Sequence, residues 1–487
     1  MPNPTNAMCR TCLLILLAGL GLAGCVTVGP DYTPPKPDVS PAWSWIDTAA
    51  KPVTHAAASG DISQWWQKLN DPLLTGLVDE ALQANHDLRS AQARVRQARA
   101  QRTVAGAGRY PAVTVSGSAS RSRSSEEAGS GTTRNYFSAG FDASWEADVF
   151  GGVRRGVEAA EADLESSEAS LAHTRVTLAS EVALGYVELR TLQSRLGIAR
   201  DNLASQSETL QITEWRAQAG LASSQDVAQA RSNREQTRAQ IPALETSLAE
   251  AEHTLDILLG KSPGTLHARL AEAAGLPTIP AQIAVGIPAE TLRQRPDVRA
   301  TERTLAAETA RLGVAEAARY PAFNLSGSIG LEALQLGALG NSGAAASSLL
   351  AAITAPIFDA GRLRAQVDIQ DAVREQAQIA YEQAVLTALQ EVENALVALA
   401  RSQERVEALV IATESAREAA ELARQRYSAG LVDFQSVLDT ERTLLSSEDG
   451  LASAREFAVQ ALIRLYKALG GGWSPGAATG TAGKDTP

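Results

Sequence analysis

The strongest constraint on the fold is an internal repeat. The segment at residues 109–118 (RYPAVTVSGS) recurs at 319–328 (RYPAFNLSGS), which is 210 residues later. Three further matches share this offset: residues 85–89 with 295–299, 219–221 with 429–431, and 259–260 with 469–470. Four matches in the same order at one offset indicate a duplication, with residues 72–260 and 288–470 as its two halves. The chain is therefore expected to fold from two copies of one unit.

Each half is predicted to contain a β-hairpin, at about residues 110–150 and 320–358, because apolar and polar residues alternate there with a period of two. In the second run of the first hairpin, Phe141 and Trp145 fall on one face and acids fall on the other. This pattern favours the wall of a transmembrane barrel, with lipid outside and water inside; two amphipathic soluble hairpins are the alternative. Single-chain barrels begin at about 8 strands, so four strands would require several chains.

The segments after the hairpins are predicted to be very long helices. No proline occurs at 112–241 or 357–474, and apolar residues step alternately by four and three from Leu178 to Leu203, as in a coiled coil. Helices at about residues 153–216 and 361–427 would each extend roughly 95 to 100 Å at about 1.5 Å per residue. Ala-Gly-Leu sequences follow both helices, so hairpin tips are expected there, where a second helix returns.

The N-terminus is predicted to be a lipoprotein signal peptide, residues 1–24. Its single charge, Arg10, precedes an apolar run that is too short to cross about 30 Å of hydrocarbon. The sequence LAGC at residues 22–25 matches the bacterial lipobox, so Cys25 is expected to be lipidated and to become the mature N-terminus. A plain secretory signal with an incidental cysteine is the alternative. Val26, rather than Asp, favours sorting to the outer membrane by analogy with bacterial lipoproteins.

Several function classes lack support in the sequence. The formal charge of −11 argues against a nucleic-acid partner. The five histidines include no pair at i, i+4 spacing and no H-E-x-x-H motif, so no zinc site is indicated. No P-loop or G-x-S-x-G motif is found either. We therefore expect a protein that is not an enzyme and that has no metal or cofactor beyond the covalent lipid on Cys25.

In combination, these features resemble outer-membrane efflux lipoproteins of the TolC superfamily, in the OprM/NodT branch. The matching motifs are CVTVGPDY at 25–32, WW at 65–66, DPL at 71–73, RQRPDVR at 293–299, RYP at 319–321, FDAGR at 358–362 and YSAG at 427–430. The resemblance implies an α+β membrane protein: a homotrimer with a twelve-stranded transmembrane β-barrel, four strands per chain, that continues into a twelve-helix periplasmic α-barrel.

The resemblance also implies a function, a location and partners. The chain would be the passive exit duct of a tripartite efflux pump for drugs or other small toxic compounds. It would bind a periplasmic adaptor (membrane fusion) protein and an inner-membrane pump of the resistance-nodulation-division type. It would be anchored by lipid in the outer membrane and extend into the periplasm. A lipid-anchored coiled-coil scaffold that conducts nothing and a type I secretion duct are the alternatives.

The segments outside the two halves are assigned as follows: 1–24 signal peptide, 25–71 lipid anchor and periplasmic wrap, 261–287 equatorial linker, and 471–487 disordered tail. The hairpin tips are the predicted adaptor contact, because related channels dock adaptor hairpins there. The contact residues are Gly220, Leu221, Gly430 and Leu431. The alternative is that both leucines close their helix ends by a local hydrophobic contact.

A periplasmic gate is predicted just past the second tip, where Asp439 from several chains could form an acidic ring. Arg442 is expected to pair with Asp439 through its i, i+3 spacing; an ordinary surface pair is the alternative. In related channels, two rings of side chains narrow the tunnel here; both are acidic, or one is acidic and the other is leucine. This chain has Gln435 and Ser436 at those two positions. The predicted gate residues are Tyr427, Gln435, Ser436, Asp439 and Arg442, with Gln225 and Asp226 at the first tip.

Overall fold

The computed structural model describes most of the chain between the signal peptide and the tail. The described residues are 27–36, 39–44, 53–55, 62–280, 283–285 and 288–474. Cys25, the signal peptide and the tail from residue 475 onward lie outside this part. Within the described part, no helix is both long enough and apolar enough to cross a membrane.

Both halves contain the same elements in the same order. After strand β1 (Val53–His55), the first half consists of α1 (Pro72–Ala84), α2 (His86–Ala107), β2 (Ala112–Arg123), β3 (Thr133–Ala147), α3 (Gly152–Gln218) and α4 (Ser224–Leu258). The connection contains α5 (His267–Leu270) and β4 (Ile283–Val285), and β4 pairs in parallel with β1. The second half consists of α6 (Pro288–Gln294), α7 (Pro296–Ala317), β5 (Ala322–Ala333), β6 (Ala345–Thr354), α8 (Arg362–Ser428) and α9 (Phe434–Ala468).

The four long strands form one antiparallel sheet in the order β2-β3-β5-β6. The two hairpins have the same register: Ala112 faces Ser144 in the first, and Ala322 faces Thr354 in the second. Each partner in the second hairpin lies 210 residues after its counterpart in the first, so the duplication is preserved residue by residue. Strands β2 and β6 are the two edges of the sheet.

The two faces of the sheet differ in polarity, as the alternation predicts. One face carries exposed apolar side chains, among them Phe141 and Ile329. The other carries hydroxyl and carboxylate groups that are bonded across the strands: the Ser116 hydroxyl donates to Asp142 at 2.6 Å. A sheet of this kind can present one face to lipid and the other to water.

The chain is divided into two compact units. The first contains residues up to 36, 94–168 and 300–382, including the sheet, and has a small alanine cluster on α3 and α7. The second contains residues 37–93, 169–299 and 383 onward. Its larger core includes Trp65, which stacks on Tyr466 with ring centroids 5.3 Å apart.

Equivalent positions of the two halves make equivalent contacts in the second unit. Asn85 Nδ2 donates to the carbonyl of Leu258 at 2.9 Å, which satisfies one of the last carbonyls of α4. Arg295, the counterpart of Asn85, donates through Nη1 to the carbonyl of Ala468 at 2.9 Å, near the end of α9. The duplication has therefore kept the cap of each returning helix although the residue that supplies it has changed.

Candidate gate, docking tips and membrane anchor

The tips of the two helical hairpins, between α3 and α4 and between α8 and α9, are closed by backbone hydrogen bonds around a glycine with positive φ. Gly220 has a φ of 74°, and its N–H donates to the Ala217 carbonyl at 3.0 Å, while the N–H of Leu221 donates to the Arg216 carbonyl at 2.7 Å. These two bonds define a Schellman motif, which satisfies the last carbonyls of α3. The second tip repeats both bonds around Gly430, whose φ is 77°.

The N-terminal caps of α4 and α9 use the same two residue types, serine and aspartate, but in opposite order. In α4 the hydroxyl of Ser223 accepts from the N–H of Asp226 at 3.1 Å, and the Asp226 carboxylate accepts from the N–H of Ser223 at 2.8 Å. In α9 the cap residue is Asp433, which accepts from the N–H and the hydroxyl of Ser436 at 3.0 and 2.6 Å. The hydroxyl bond from Ser436 lowers the pKa of Asp433. Asp226, a predicted gate residue, therefore caps its own helix, while Gln225 beside it is exposed.

The leucines at the tips extend into solvent. Leu221 is 69% exposed and Leu431 is 75% exposed. Trp215, five residues before Gly220 on α3, is also exposed, and the sequence analysis overlooked it. A large aromatic residue on a polar helix face was the signal that could have identified it. Three large apolar side chains near the tips are therefore accessible in a single chain.

Tyr427 does not share the exposed surface of the other predicted gate residues. It is buried, its hydroxyl donates to Thr213 Oγ1 at 3.2 Å, and its ring lies 4.6 Å from the Arg216 guanidinium. Phe434, the first residue of α9, packs edge-on against the ring at 5.9 Å. Tyr427 therefore precedes the turn and lies in the packing between α3, α8 and α9 of a single chain, and its part in the gate stays a prediction.

The other gate residues share an exposed face of α9, but not with the expected pairing. Gln435 donates to Asp439 at 2.9 Å, along one turn of the helix. Arg442 instead reaches across to α4, where its Nε donates to Asn233 Oδ1 at 3.3 Å. The expected Asp439–Arg442 pair is therefore replaced by two other contacts, and Asp439 and the adjacent Ser436 remain on the solvent-exposed face.

A row of buried polar side chains lies on α3 beyond the apolar seam. Its members are Asn202, Gln206, Thr209 and Thr213. Asn202 donates to Glu448 at 3.0 Å, and Thr209 donates to the buried Glu441 at 2.7 Å. Burial raises the pKa of Glu441. Both polar atoms of the Gln206 amide are buried and have no hydrogen-bond partner within the described chain. Successive members of this row are separated by four, three and four residues, as in the apolar seam from Leu178 to Leu203. The sequence analysis followed only apolar residues and therefore missed the row.

The segment at residues 27–32 is held against the helices that flank the sheet. The N–H of Val28 donates to the carbonyl of Phe150, just after β3, at 3.1 Å. The buried Arg155 of α3 donates to the Asp31 carboxylate at 2.7 Å and to the Gly29 carbonyl at 3.1 Å. Gly29 lies so close to α7 that an added Cβ would be 2.4 Å from the Cα of Gly313. Cys25, outside the described residues, precedes this fixed segment by only a few residues.

The comparison with known families decides the identity of the chain. The model described as "Outer membrane efflux protein" matches residues 77–261 and 287–471, two segments that are again 210 residues apart. The chain belongs to the outer membrane efflux protein family. This efflux protein is 34% identical over 470 residues to Nodulation protein T of Rhizobium leguminosarum bv. trifolii, covering 94% of this chain and 97% of that protein. It is 36% identical over 423 residues to the pyoverdine export outer membrane protein OpmQ of Pseudomonas aeruginosa, covering 85% and 88%.

Solved structures give the same result for the fold. The outer-membrane channel OprN is 38% identical and matches with a TM-score of 0.86 over 92% of this efflux protein and 99% of that chain. The resemblance to the TolC superfamily and the TolC-like fold class are therefore confirmed. The efflux protein is an outer-membrane channel component that extends into the periplasm, rather than a scaffold.

Proposed function

We propose that this efflux protein works as a lipid-anchored homotrimer, the passive exit duct of a tripartite pump with a periplasmic adaptor and a resistance-nodulation-division transporter. The proposal depends mainly on the sheet, which has one exposed apolar face and whose edge strands, β2 and β6, each pair with one strand in the described part of the chain. Three such sheets joined edge to edge give a barrel of twelve strands, with the apolar face toward lipid. The function involves passage alone, with no covalent change of the cargo and no cofactor other than the lipid.

The cargo is proposed to be small organic compounds, including drugs and other toxic molecules, chosen by the pump rather than by the duct. The relative in Pseudomonas aeruginosa is named for pyoverdine export, and siderophore-like compounds are one such class. Single-channel recording on the purified protein in a planar bilayer tests conduction. We expect a conductance that responds to gating conditions. A protein that never conducts would contradict the duct and favour a lipid-anchored scaffold.

The anchor is proposed to be acyl chains on Cys25, which in the sequence comes just before residues 27–32, the segment that Arg155 holds beside the end of β3. One myristoyl-class chain binds membranes only marginally, so several chains and the barrel would act together. Cys25→Ser should block signal cleavage at this site and abolish acyl labelling. Cys12→Ser, a substitution inside the signal peptide, is the control and should change neither. Normal mature mass and labelling in Cys25→Ser would disprove the anchor.

The tips are proposed to receive the adaptor through Leu221 and Leu431, because both leucines are exposed and each follows a glycine turn. Leu221→Asp combined with Leu431→Asp should abolish efflux and leave a trimer. Leu336 is exposed to a similar degree in the loop after β5, so Leu336→Asp is the matched control and should retain efflux. Unchanged efflux in the double tip variant would argue against docking at these leucines.

The gate is proposed to lie on the α9 face that carries Gln435, Ser436, Asp439 and Arg442. Its other proposed members are Tyr427, before the second tip, and Gln225 and Asp226 at the first tip. A ring of Asp439 carboxylates favours cations over anions. Asp439→Ala should therefore reduce cation preference and increase antibiotic leak. Arg442→Ala should act mainly by releasing Asn233, and its effect should persist when Asp439 is also replaced. If Asp439→Ala kept the wild-type preference for cations, the gate would not lie on this face of α9.

A further inference from the structure

The apolar face of the sheet has a height that can be worked out from its strands. On β3 its members are every second residue from Phe137 to Ala147, and the pairing with β2 and β5 runs through them in a single register. Ten residue steps separate these two residues and extend about 34 Å at about 3.4 Å each. A strand tilt of about 40° reduces this length to a height of about 26 Å, close to the apolar band of about 25 Å in transmembrane barrels. The face is therefore just tall enough to span the hydrocarbon.

Aromatic side chains mark the end of the sheet that lies beside the helices. At this end each strand is within eight residues of α2, α3, α7 or α8. Trp145 Nε1 donates to the Arg109 carbonyl at 3.1 Å, Tyr320 stacks on Phe150 with ring centroids 4.7 Å apart, and Tyr110 is 72% exposed. Trp and Tyr are enriched where a membrane meets water. This end therefore fits the periplasmic boundary of the membrane, and the far end of the sheet reaches the outer leaflet.

The far end of the same face carries two arginines. Arg121 and Arg123 of β2 lie opposite Asn135 and Thr133 of β3, and all four residues are exposed. Asn135 comes two residues before Phe137, so side-chain alternation puts both pairs on the apolar face, directly beyond the end of the band. We call these four residues the arginine patch. Its position corresponds to the headgroup region of the outer leaflet.

The arginine patch has few anionic partners of its own. Within the part of the chain that the structure describes, the Arg121 side chain forms no hydrogen bond and no ion pair. Arg123 donates to the Gly131 carbonyl at 3.2 Å and lies 3.5 Å from Glu126. Both side chains of that ion pair are largely exposed, so the pair contributes little. Two guanidinium groups whose Cα atoms are about 7 Å apart along one strand therefore keep donors for an external anion.

The duplicated sequence supplies these arginines in its first half alone. The positions 210 residues after Arg121 and Arg123 are Leu331 and Ala333. The two hairpins nevertheless pair in the same register, so the strands themselves do not require arginine at these places. On a lipid-facing surface, arginine destabilises a barrel at the bilayer midplane and is tolerated near the interface. The first hairpin therefore differs from the second in a way that recognition of a charged headgroup explains.

We propose that Arg121 and Arg123, assisted by Asn135, bind the phosphate groups of a lipid in the outer leaflet. A guanidinium group pairs with phosphate oxygens through two parallel hydrogen bonds. The acyl chains of the same lipid then cover the neighbouring apolar side chains of the band, among them Ala119 and Phe137, which lie opposite each other. The inference rests on the proposed barrel, whose apolar face meets lipid, and it adds the lipid chemistry that this barrel holds.

Lipid retention, measured by native mass spectrometry, tests the site. The probe is lipid A with both phosphates, compared with the same lipid after the phosphates are removed, and EDTA prevents divalent cations from bridging the lipid to Glu126. Wild-type protein should retain the phosphorylated form preferentially. Arg121→Gln with Arg123→Gln should weaken its binding about 25-fold, at about fivefold for each arginine near the lipid surface. The matched control is Arg134→Gln, because Arg134 lies opposite Ser122 at the same end of the sheet but on the water face, and it should leave binding unchanged.

Several results would overturn the lipid site. They are equal retention of the two lipid forms, unchanged binding in the double variant, and an equal loss of binding in Arg134→Gln. Complete displacement of the lipid by inorganic phosphate would also overturn it, because the patch would then hold a free anion. Conductance in a planar bilayer separates the site from the duct, and the double variant should conduct like the wild type. A protein that conducts but does not distinguish the two lipid forms would overturn the lipid site alone, whereas one that never conducts would overturn the duct on which the site rests.

Discussion

Tyr427 connects α8 to α3 close to the second tip, and two substitutions separate the contributions of its hydroxyl and its ring. Tyr427→Phe removes only the bond to Thr213, which still donates to the Thr209 carbonyl at 2.8 Å. A neutral hydrogen bond contributes about 1 kcal/mol, which corresponds to about a fivefold change in a local opening equilibrium. Tyr427→Ala also removes the buried ring, with an expected cost of about 3–5 kcal/mol and at least about a hundredfold change.

Hydrogen–deuterium exchange of the amides near the second tip measures these openings directly. Amides in residues 415–428 and 205–218 should exchange about fivefold faster in Tyr427→Phe and more than about a hundredfold faster in Tyr427→Ala. Tyr110→Phe, at an exposed tyrosine of the first unit, should leave both segments unchanged. Equal effects of the Phe and Ala variants would show that the ring packing contributes nothing, and unaltered exchange in the Ala variant would refute the role of Tyr427.

Three further predictions concern a carboxyl, a turn and the N-terminal segment. Burial raises the pKa of Glu441, so the carboxyl stabilises the fold at low pH, and this stabilisation is lost as the pH rises through the folded pKa. Glu441→Gln should therefore raise the unfolding temperature at neutral pH but not in acid, which calorimetry can measure. Gly220→Ala, at φ 74°, should lower the free energy of unfolding by about 1 kcal/mol. Gly197→Ala, inside α3, should raise it by about 0.5–1 kcal/mol, and chemical denaturation measures both changes. Arg155→Met should release residues 27–32, which limited proteolysis would detect as earlier cleavage near Asp31.

The sequence was informative wherever structure depends on local rules. Helices expected at about 153–216 and 361–427 are observed at Gly152–Gln218 and Arg362–Ser428. Glycine and its neighbours determine where these helices stop, and alternation determines which face of a strand is apolar. Both signals are contained in a few adjacent residues.

The side-chain partners could not be read in the same way, because they are distant in the chain. The i, i+3 rule favours Asp439 for Arg442, but Asn233, more than two hundred residues away, is the partner in the fold. Tyr427 lies beside the second turn in sequence, yet its position is determined by Thr213 on another helix. Only the packing of several helices decides between such choices.

The exchanged caps at the two tips restrict the mutational paths open to a duplicated sequence. Serine followed by aspartate caps α4, and aspartate followed by serine caps α9. Changing one form into the other needs two substitutions. The intermediate is either two facing carboxylates, which repel, or two hydroxyls, of which only one is needed for the cap. The two-hydroxyl intermediate keeps a serine cap, so single substitutions can pass through it, whereas a short gene conversion tract that leaves two carboxylates at one tip would weaken that tip.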